Sequence, residues 1–191
     1  IVPVSTLAAL PRAVENAGRL LARGDASITD VLSLTRVLAQ ADRGAVAVLR
    51  AADSAHEGPG ARLAALLDAH ADELAVSVTQ SRANLASLTP GSAAVLAQGR
   101  EIGASGLPRL QAASRSSDEA RAVLPDVTAY AAATATMTVA LREAAARAVA
   151  EHGVAVRDRS EDSPLLWRPA ARFDVVPLVR ALDGAVVSAR R

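Results

Sequence analysis

The side chain best suited to chemistry in this sequence is the imidazole of His70, which stands between Asp68 and Asp72. On a helix the two aspartates share one face, whereas His70 points to the opposite side. A metal site on helices needs ligands that converge at spacings of three or four residues. His70 falls instead beside the apolar positions Leu67 and Leu74. The spacing therefore predicts a polar histidine in the core or at its edge, and no metal ligand.

The other polar candidates also have a structural interpretation. A face with Thr134, Thr136 and Thr138 could line a polar pocket, but threonines in an alanine-rich helix commonly bond back to the preceding turn. His56 and His152 stand at predicted helix ends, where an imidazole faces the last carbonyls. The sequence contains no nucleophile elbow, phosphate loop or dinucleotide fingerprint. We therefore predict no catalytic residue, no cofactor and no metal.

Composition narrows the class of protein. Alanine supplies 46 of the 191 residues, only three residues are aromatic, and every one of the 21 basic residues is arginine. This alanine and arginine bias is typical of a high-GC bacterium. The absence of cysteine excludes disulfides, thiolate metal sites and cysteine nucleophiles. A net charge of +1 with interspersed signs gives no general attraction to nucleic acid or anionic lipid.

The strongest pattern is a stripe of mostly small residues that recurs at alternating steps of four and three. Such spacing keeps one helix face towards other helices, as in a coiled coil. We call this stripe the alanine seam, and it comprises Ala120, Leu124, Val127, Ala131, Thr134, Thr138, Leu141, Ala145 and Ala148. Small side chains allow a partner backbone to approach closely. We predict a partner-binding surface on the exposed side of the seam, at Ala131, Thr134, Thr138 and Ala145.

Similar patterns place further helices, separated by glycine and proline turns. The predicted helices cover residues 6–23, 27–52, 61–88, a weaker stretch from 92, and 116–153. Pro11 is expected to bend or restart the first helix, and Pro125 to kink the last one unless that helix begins there. Gly99, Gly103 and Gly106 make the fourth stretch the least regular, because interior glycines weaken a helix.

The predicted fold is all-α. Residues 1–153 form an elongated, mostly antiparallel bundle of four to five helices, and residues 154–191 form a C-terminal loop and short helix that packs on it. Asp174 is expected to cap that last helix, with Phe173 stapled to Leu178. No segment is long and apolar enough to span a membrane.

A small aromatic group precedes the last helix. Trp167 and Phe173 are two of the three aromatic residues of the chain. Buried, the two rings would anchor the tail to the bundle. Exposed beside Arg168, they would form a hot spot for a partner. We therefore add Trp167, Arg168 and Phe173 to the predicted partner-binding residues.

These patterns predict a non-enzymatic, cytoplasmic structural scaffold or protein–protein interaction subunit, which binds itself or a partner through its helical seams. One alternative is a nucleic-acid-associated accessory protein that uses C-terminal arginines. Those arginines are interrupted by acidic residues and number five: Arg168, Arg172, Arg180, Arg190 and Arg191. A second alternative is a ligand-binding bundle. It requires His70, His152 and the Thr134–Thr138 face to share one cavity.

Overall fold

The structure, a computed structural model, describes residues 5–24, 26, 28–52, 58–82, 93–151 and 173–189. These residues are almost entirely helical and contain no strand, which confirms the predicted all-α class. The helices are α1 (Ser5–Ala22), α2 (Ile28–Ala52), α3 (Pro59–Arg82), α4 (Ala93–Ser105), α5 (Leu107–Ala113), α6 (Ser117–Glu151) and α7 (Val175–Ala189). The predicted extension of the third helix to residue 88 lies outside the described residues.

Both internal prolines are accommodated within continuous helices. Pro11 lies inside α1, so the helix does not restart there. Pro125 lies inside α6, which begins at Ser117 with Asp118 and Glu119 in its first turn. These two carboxylates suit the positive end of the helix dipole. The alternative start of α6 at Pro125 is therefore wrong.

The weak fourth stretch is two helices that meet at Gly106. Gly106 is the N-cap residue of α5, and a Cβ atom at this position would lie 2.8 Å from Cδ1 of Leu10. The missing side chain lets α1 approach the junction of α4 and α5. The irregularity predicted from the glycines is thus confirmed as a break between two short helices.

The helices pack against one another as a bundle, in which α2 and α3 run antiparallel. Arg43 on α2 pairs with Asp72 on α3 at 3.5 Å, and Arg50 pairs with Asp68 at 3.0 Å. As residue numbers increase along α2, the residues they contact on α3 decrease in number, so the two helices are antiparallel. Helix α6 packs on α1 and α2, and α7 packs on α3 and α6. At 35 residues, α6 is about 52 Å long and sets the length of the bundle.

From Ala120 to Ala145 the residues of the alanine seam are buried in the core of this bundle, except Leu124, which is half-buried. The side chains of Ala131, Thr134, Thr138 and Ala145 are at most 3% exposed, because α6 packs against α1 and α2. In a single copy of the chain these four residues therefore pack within the bundle. Binding of a partner by these residues stays a prediction.

The predicted Asp174 cap is found at the start of α7, whereas the Phe173–Leu178 staple stays a prediction. The amide of Val176 donates a hydrogen bond of 3.0 Å to Oδ1 of Asp174, which caps the helix. Phe173 is half-buried and Leu178 is buried. A guanidinium nitrogen of Arg142 donates to the Phe173 carbonyl at 3.1 Å and fixes the entry of the chain into α7. Trp167, Arg168 and the predicted boundary after residue 153 lie outside the described residues.

Among the described residues, no helix combines the length and apolar character needed to cross a membrane. For these ranges the finding agrees with the sequence, which predicts no membrane-spanning segment.

Candidate functional site

Four polar side chains from three helices meet in the middle of the core. They are Asp42 on α2, His70 on α3, and Tyr130 and Thr138 on α6; none is more than 1% exposed. We call these four residues the polar cluster. The predicted core position of His70 is confirmed. Buried polar groups of this kind are costly unless they bond to one another.

His70 joins the three helices. Its Nδ1 forms a hydrogen bond with Oδ2 of Asp42, and its Nε2 lies 2.8 Å from Oγ1 of Thr138. The ring of Phe173, at the entry to α7, lies against the imidazole with a centroid separation of 4.8 Å and an angle of 58°. Each edge of the imidazole thus has a polar partner, and an aromatic ring covers part of its surface.

The hydroxyl of Thr138 lies between the Thr134 carbonyl oxygen and Nε2 of His70. Its Oγ1 lies 2.8 Å from the Thr134 carbonyl oxygen, which can only accept a hydrogen bond. When the hydroxyl proton is directed there, Nε2–H of His70 donates to Oγ1. On the other side of the ring, Nδ1 of His70 bonds to the carboxyl of Asp42, so both ring nitrogens are satisfied inside the core.

Tyr130 completes the cluster from α6. Its phenol donates a hydrogen bond of 2.7 Å to Oδ1 of Asp42 and lies 3.2 Å from the Leu38 carbonyl oxygen. Burial raises the pKa of Tyr130 well above its usual value of 10, and the nearby Asp42 charge raises it further, whereas the neighbouring Thr134 side chain opposes both effects. Tyr130 therefore remains a neutral donor at physiological pH.

Thr138, His70 and Asp42 form a hydrogen-bonded chain of hydroxyl, imidazole and carboxyl groups. Hydrolases that use a nucleophilic hydroxyl contain the same sequence of groups. Catalysis by such a set requires a nucleophile that a substrate can reach. Thr138, His70 and Asp42 are each 0% exposed, and none of them lines either of the two clefts described below. A buried network whose members bond to one another instead fixes the register of the helices that carry it.

The polar cluster brings together part of what a ligand-binding bundle requires. His70, Thr134 and Thr138 do converge, but the imidazole and the Thr138 hydroxyl bond within the cluster. Thr136 faces solvent, with its hydroxyl 3.5 Å from the Ala132 carbonyl oxygen. His152 lies outside the described residues. Within the described ranges, no three acidic, histidine or cysteine side chains come close enough to hold a metal ion.

Sequence reasoning missed Asp42 and Tyr130. A usable signal exists for Asp42, because it follows Leu38 by four residues and precedes Ala45 by three, on the apolar face of α2. Tyr130 likewise lies one helical turn after Val127. A charged residue on a core-facing stripe needs a buried partner, and His70 on the next helix is such a partner.

The larger cleft is an open groove between α1 and α7 with α6 as its floor. It has a volume of about 1060 Å³, and small residues such as Gly18, Ala135 and Ala140 line it. Val139 and Val179 stand on its surface with more than two fifths of each side chain exposed. The seam therefore faces the core, while the neighbouring strip of α6 faces this groove.

Charges on the rim of the groove are balanced. Glu15 and Arg19 on α1 form an exposed ion pair at 4.0 Å, and Glu143 and Arg180 line the groove from α6 and α7. Arg180 is the one described member of the five C-terminal arginines. The rim thus offers equal numbers of acids and arginines rather than a basic surface for phosphates.

A second cleft, of about 470 Å³, lies between α4–α5 and the start of α6. Its lining is mostly apolar, with Arg109 and Glu119 as the charged members. Arg109 also affects Asp126, which does not line the cleft: burial raises the pKa of Asp126 above its usual value, and the charge of Arg109 opposes that effect. One arginine and one acid on an apolar lining are too few for a catalytic set, which combines a nucleophile, a base and a group that stabilises charge.

The chain matches no family model, and neither the curated proteins nor the solved structures contain a significant match to it.

Proposed function

We propose that this protein is a non-enzymatic interaction subunit that binds another protein through the outer face of α7 and the adjoining groove. The observation that carries the proposal is the distribution of exposed apolar side chains. Five large hydrophobic residues are exposed in the described part of the chain, and three of them, Val176, Val179 and Val187, lie on α7. An apolar surface concentrated on one short helix is typical of a protein-binding site.

The groove beside α7 supports the same function. Two helical walls over a floor of small residues have the shape that receives an amphipathic helix. The exposed Val139 and Val179 offer apolar contacts there. The lining also includes the charged residues Glu15, Arg19, Glu143 and Arg180, and apolar contacts combined with charged groups are the usual anatomy of an interface.

The polar cluster supports the non-enzymatic part of the proposal. Its hydroxyl, imidazole and carboxylate bond to one another at full burial. Such a cluster holds α2, α3 and α6 in register and thereby keeps the surface of α6 rigid under the groove. The cytoplasmic location predicted from the sequence belongs to the same proposal, and fractionation of the source cells tests it.

Capture of partners from the source cells, with quantitative mass spectrometry, tests this function. The baits are the tagged wild-type chain, Val179→Asp in the groove, and Val76→Asp as the matched control. Val76 is an exposed valine on α3, 51% exposed against 43% for Val179. Circular dichroism first establishes that all three chains are equally helical.

We expect one or more proteins, which can include the untagged chain itself, to be retained by wild type and Val76→Asp and lost with Val179→Asp. A set of captured proteins that is identical for the three baits would overturn the proposal.

A further inference from the structure

We infer that the protein bound by the α7 face is a second copy of this chain, with the two α7 helices packed antiparallel about a two-fold axis. This inference rests on the proposed function and names its partner. It is carried by the arrangement of four exposed residues on α7, which we call the α7 stripe: Val176, Arg180, Asp183 and Val187.

The α7 stripe is a single line along the helix. Its members recur at steps of four, three and four, which keeps them on one face. All four are exposed, whereas Leu178 and Ala185 on the opposite face are buried. The stripe thus lies on the side of α7 that is not packed against α3 and α6, and its Val176 and Arg180 also line the groove.

The α7 stripe is complementary to a second copy of itself when the two helices are antiparallel. An antiparallel pair centred between residues 181 and 182 places Val176 opposite the second copy's Val187. The same register places Arg180 opposite the second copy's Asp183. Because a two-fold axis repeats each contact, the pair contains two valine contacts and two ion pairs. An interface between identical subunits requires this kind of self-complementarity.

The charges also select the direction of the pair. A parallel arrangement in register would place Arg180 against the same arginine of the second copy, and Asp183 against the same aspartate. Like charges at this distance oppose association. The antiparallel pair removes both repulsions.

The contact is expected to be weak and dependent on concentration. Helix α7 has 15 residues, a length of about 22 Å. A pair of such helices buries less area than a permanent dimer does, even with the α7 side of the groove included. Titration of the chain concentration is therefore the appropriate measurement.

The decisive experiment mixes two charge-reversed variants. Arg180→Asp alone presents two aspartates to two aspartates across the interface, and Asp183→Arg alone presents two arginines to two arginines. We expect each single variant to raise the dimer dissociation constant roughly 3- to 30-fold in sedimentation measurements. A one-to-one mixture restores both cross-pairs, so we expect its dissociation constant to return close to the wild-type value.

The mixture separates intermolecular pairing from any effect within one helix. In each variant positions 180 and 183 of one α7 carry like charges, and mixing does not change that. Recovery of association in the mixture therefore reports contact between copies only. If the mixture remains as weak as its components, or if the single variants associate as wild type does, the inference is overturned.

Cysteine pairing checks the register, because the natural chain contains no cysteine. We prepare Val176→Cys and Val187→Cys separately. Oxidation of their mixture is expected to give the heterodisulfide, with little homodisulfide from either variant alone. Predominant homodisulfide would instead indicate a parallel pair and overturn the antiparallel arrangement.

Failure of this inference is distinguishable from failure of the proposed function. A wild-type chain that stays monomeric at all concentrations excludes the second copy. If Val179→Asp still loses a captured protein in that case, the interaction function stands and its partner is a different protein.

Discussion

The phenol of Tyr130 donates a hydrogen bond of 2.7 Å to Oδ1 of Asp42, which lies 88 residues earlier in the chain. The other oxygen of the same carboxyl group bonds to His70. One carboxyl group thus ties α6 and α3 to α2 inside the core. Because the bonds are directional, a slip of any of these helices by one turn would break them, whereas alanine contacts alone tolerate such a slip.

Asp42→Asn should therefore destabilise the fold strongly. The substitution keeps the shape of the side chain but leaves His70 without its buried carboxylate partner. We expect the free energy of unfolding to fall by about 3 kcal/mol, measured by urea denaturation with circular dichroism. The matched control is Asp72→Asn, which removes the exposed ion pair with Arg43 and should cost below about 1 kcal/mol. Equal losses for the two variants would contradict a structural role for the polar cluster.

Thr138→Val tests the other side of the imidazole. It removes the hydroxyl that lies 2.8 Å from Nε2 of His70, so a buried ring nitrogen loses its partner. We expect a loss of about 1–3 kcal/mol in the free energy of unfolding.

Thr128→Val is the matched control for Thr138→Val. Thr128 is half-buried on the same helix and bonds to the Leu124 carbonyl oxygen at 2.9 Å, the same local bond that Thr138 makes to Thr134. Its loss should change the free energy of unfolding by no more than about 0.5 kcal/mol. If both variants lose the same amount, the contribution comes from the local bond and not from His70.

The sequence predicts the helices well because their signal is local. The alternating steps of the alanine seam, the glycine at position 106 and the Asp174 cap each act within a few residues, and each is found where the pattern places it. The polar cluster depends on contacts between residues 28 and 88 positions apart. Helical periodicity shows that Asp42 faces the core, but not which residue of another helix meets it.

The surface of α6 that stays open could not be predicted for a related reason. Periodicity finds the most apolar stripe of α6, and in a folded bundle that stripe is covered by the chain's own α1 and α2. The open strip lies beside the seam on the surface of α6, at Ala135 and Val139. Only the packing of α1 and α7 on either side of α6 shows that this strip is left uncovered. Exposure of the α7 valines likewise follows from packing and not from the sequence pattern.

Two glycines near the junction of α4 and α5 should respond to alanine in opposite directions. A Cβ atom at Gly106 would lie 2.8 and 2.9 Å from the two Cδ atoms of Leu10 and 3.0 Å from its Cβ. Leu10 is 1% exposed and has little room to move. We expect Gly106→Ala to cost about 1–3 kcal/mol.

Gly103 lies inside α4, where a Cβ atom would meet no side chain or neighbouring helix within 4 Å among the described residues. Gly103→Ala should raise the free energy of unfolding by about 0.5–1 kcal/mol through helix propensity. Thermal unfolding of both variants, followed by circular dichroism, checks the pair. A stabilised Gly106→Ala would contradict the close approach of α1 to this junction.

Stability should decline at alkaline pH because of Tyr130 alone. The chain has one tyrosine, no cysteine and no lysine, so no other side chain titrates between about pH 10 and 12. Burial holds the folded-state pKa of Tyr130 well above 10, whereas the unfolded chain releases this proton near pH 10. The unfolded state then binds fewer protons than the folded state, and the free energy of unfolding falls by up to about 1.4 kcal/mol per pH unit above that value.

Urea denaturation from neutral pH to about pH 11.5 measures this slope, and tyrosinate absorbance identifies the group. In Tyr130→Phe the alkaline slope should disappear, although the variant is less stable at neutral pH because Asp42 loses a donor. In the wild type, tyrosinate should form only as helicity is lost, since both report the same unfolding event. Tyrosinate that forms near pH 10 while the chain remains fully helical would show that the phenol is accessible to solvent, and would contradict its place in the sealed cluster.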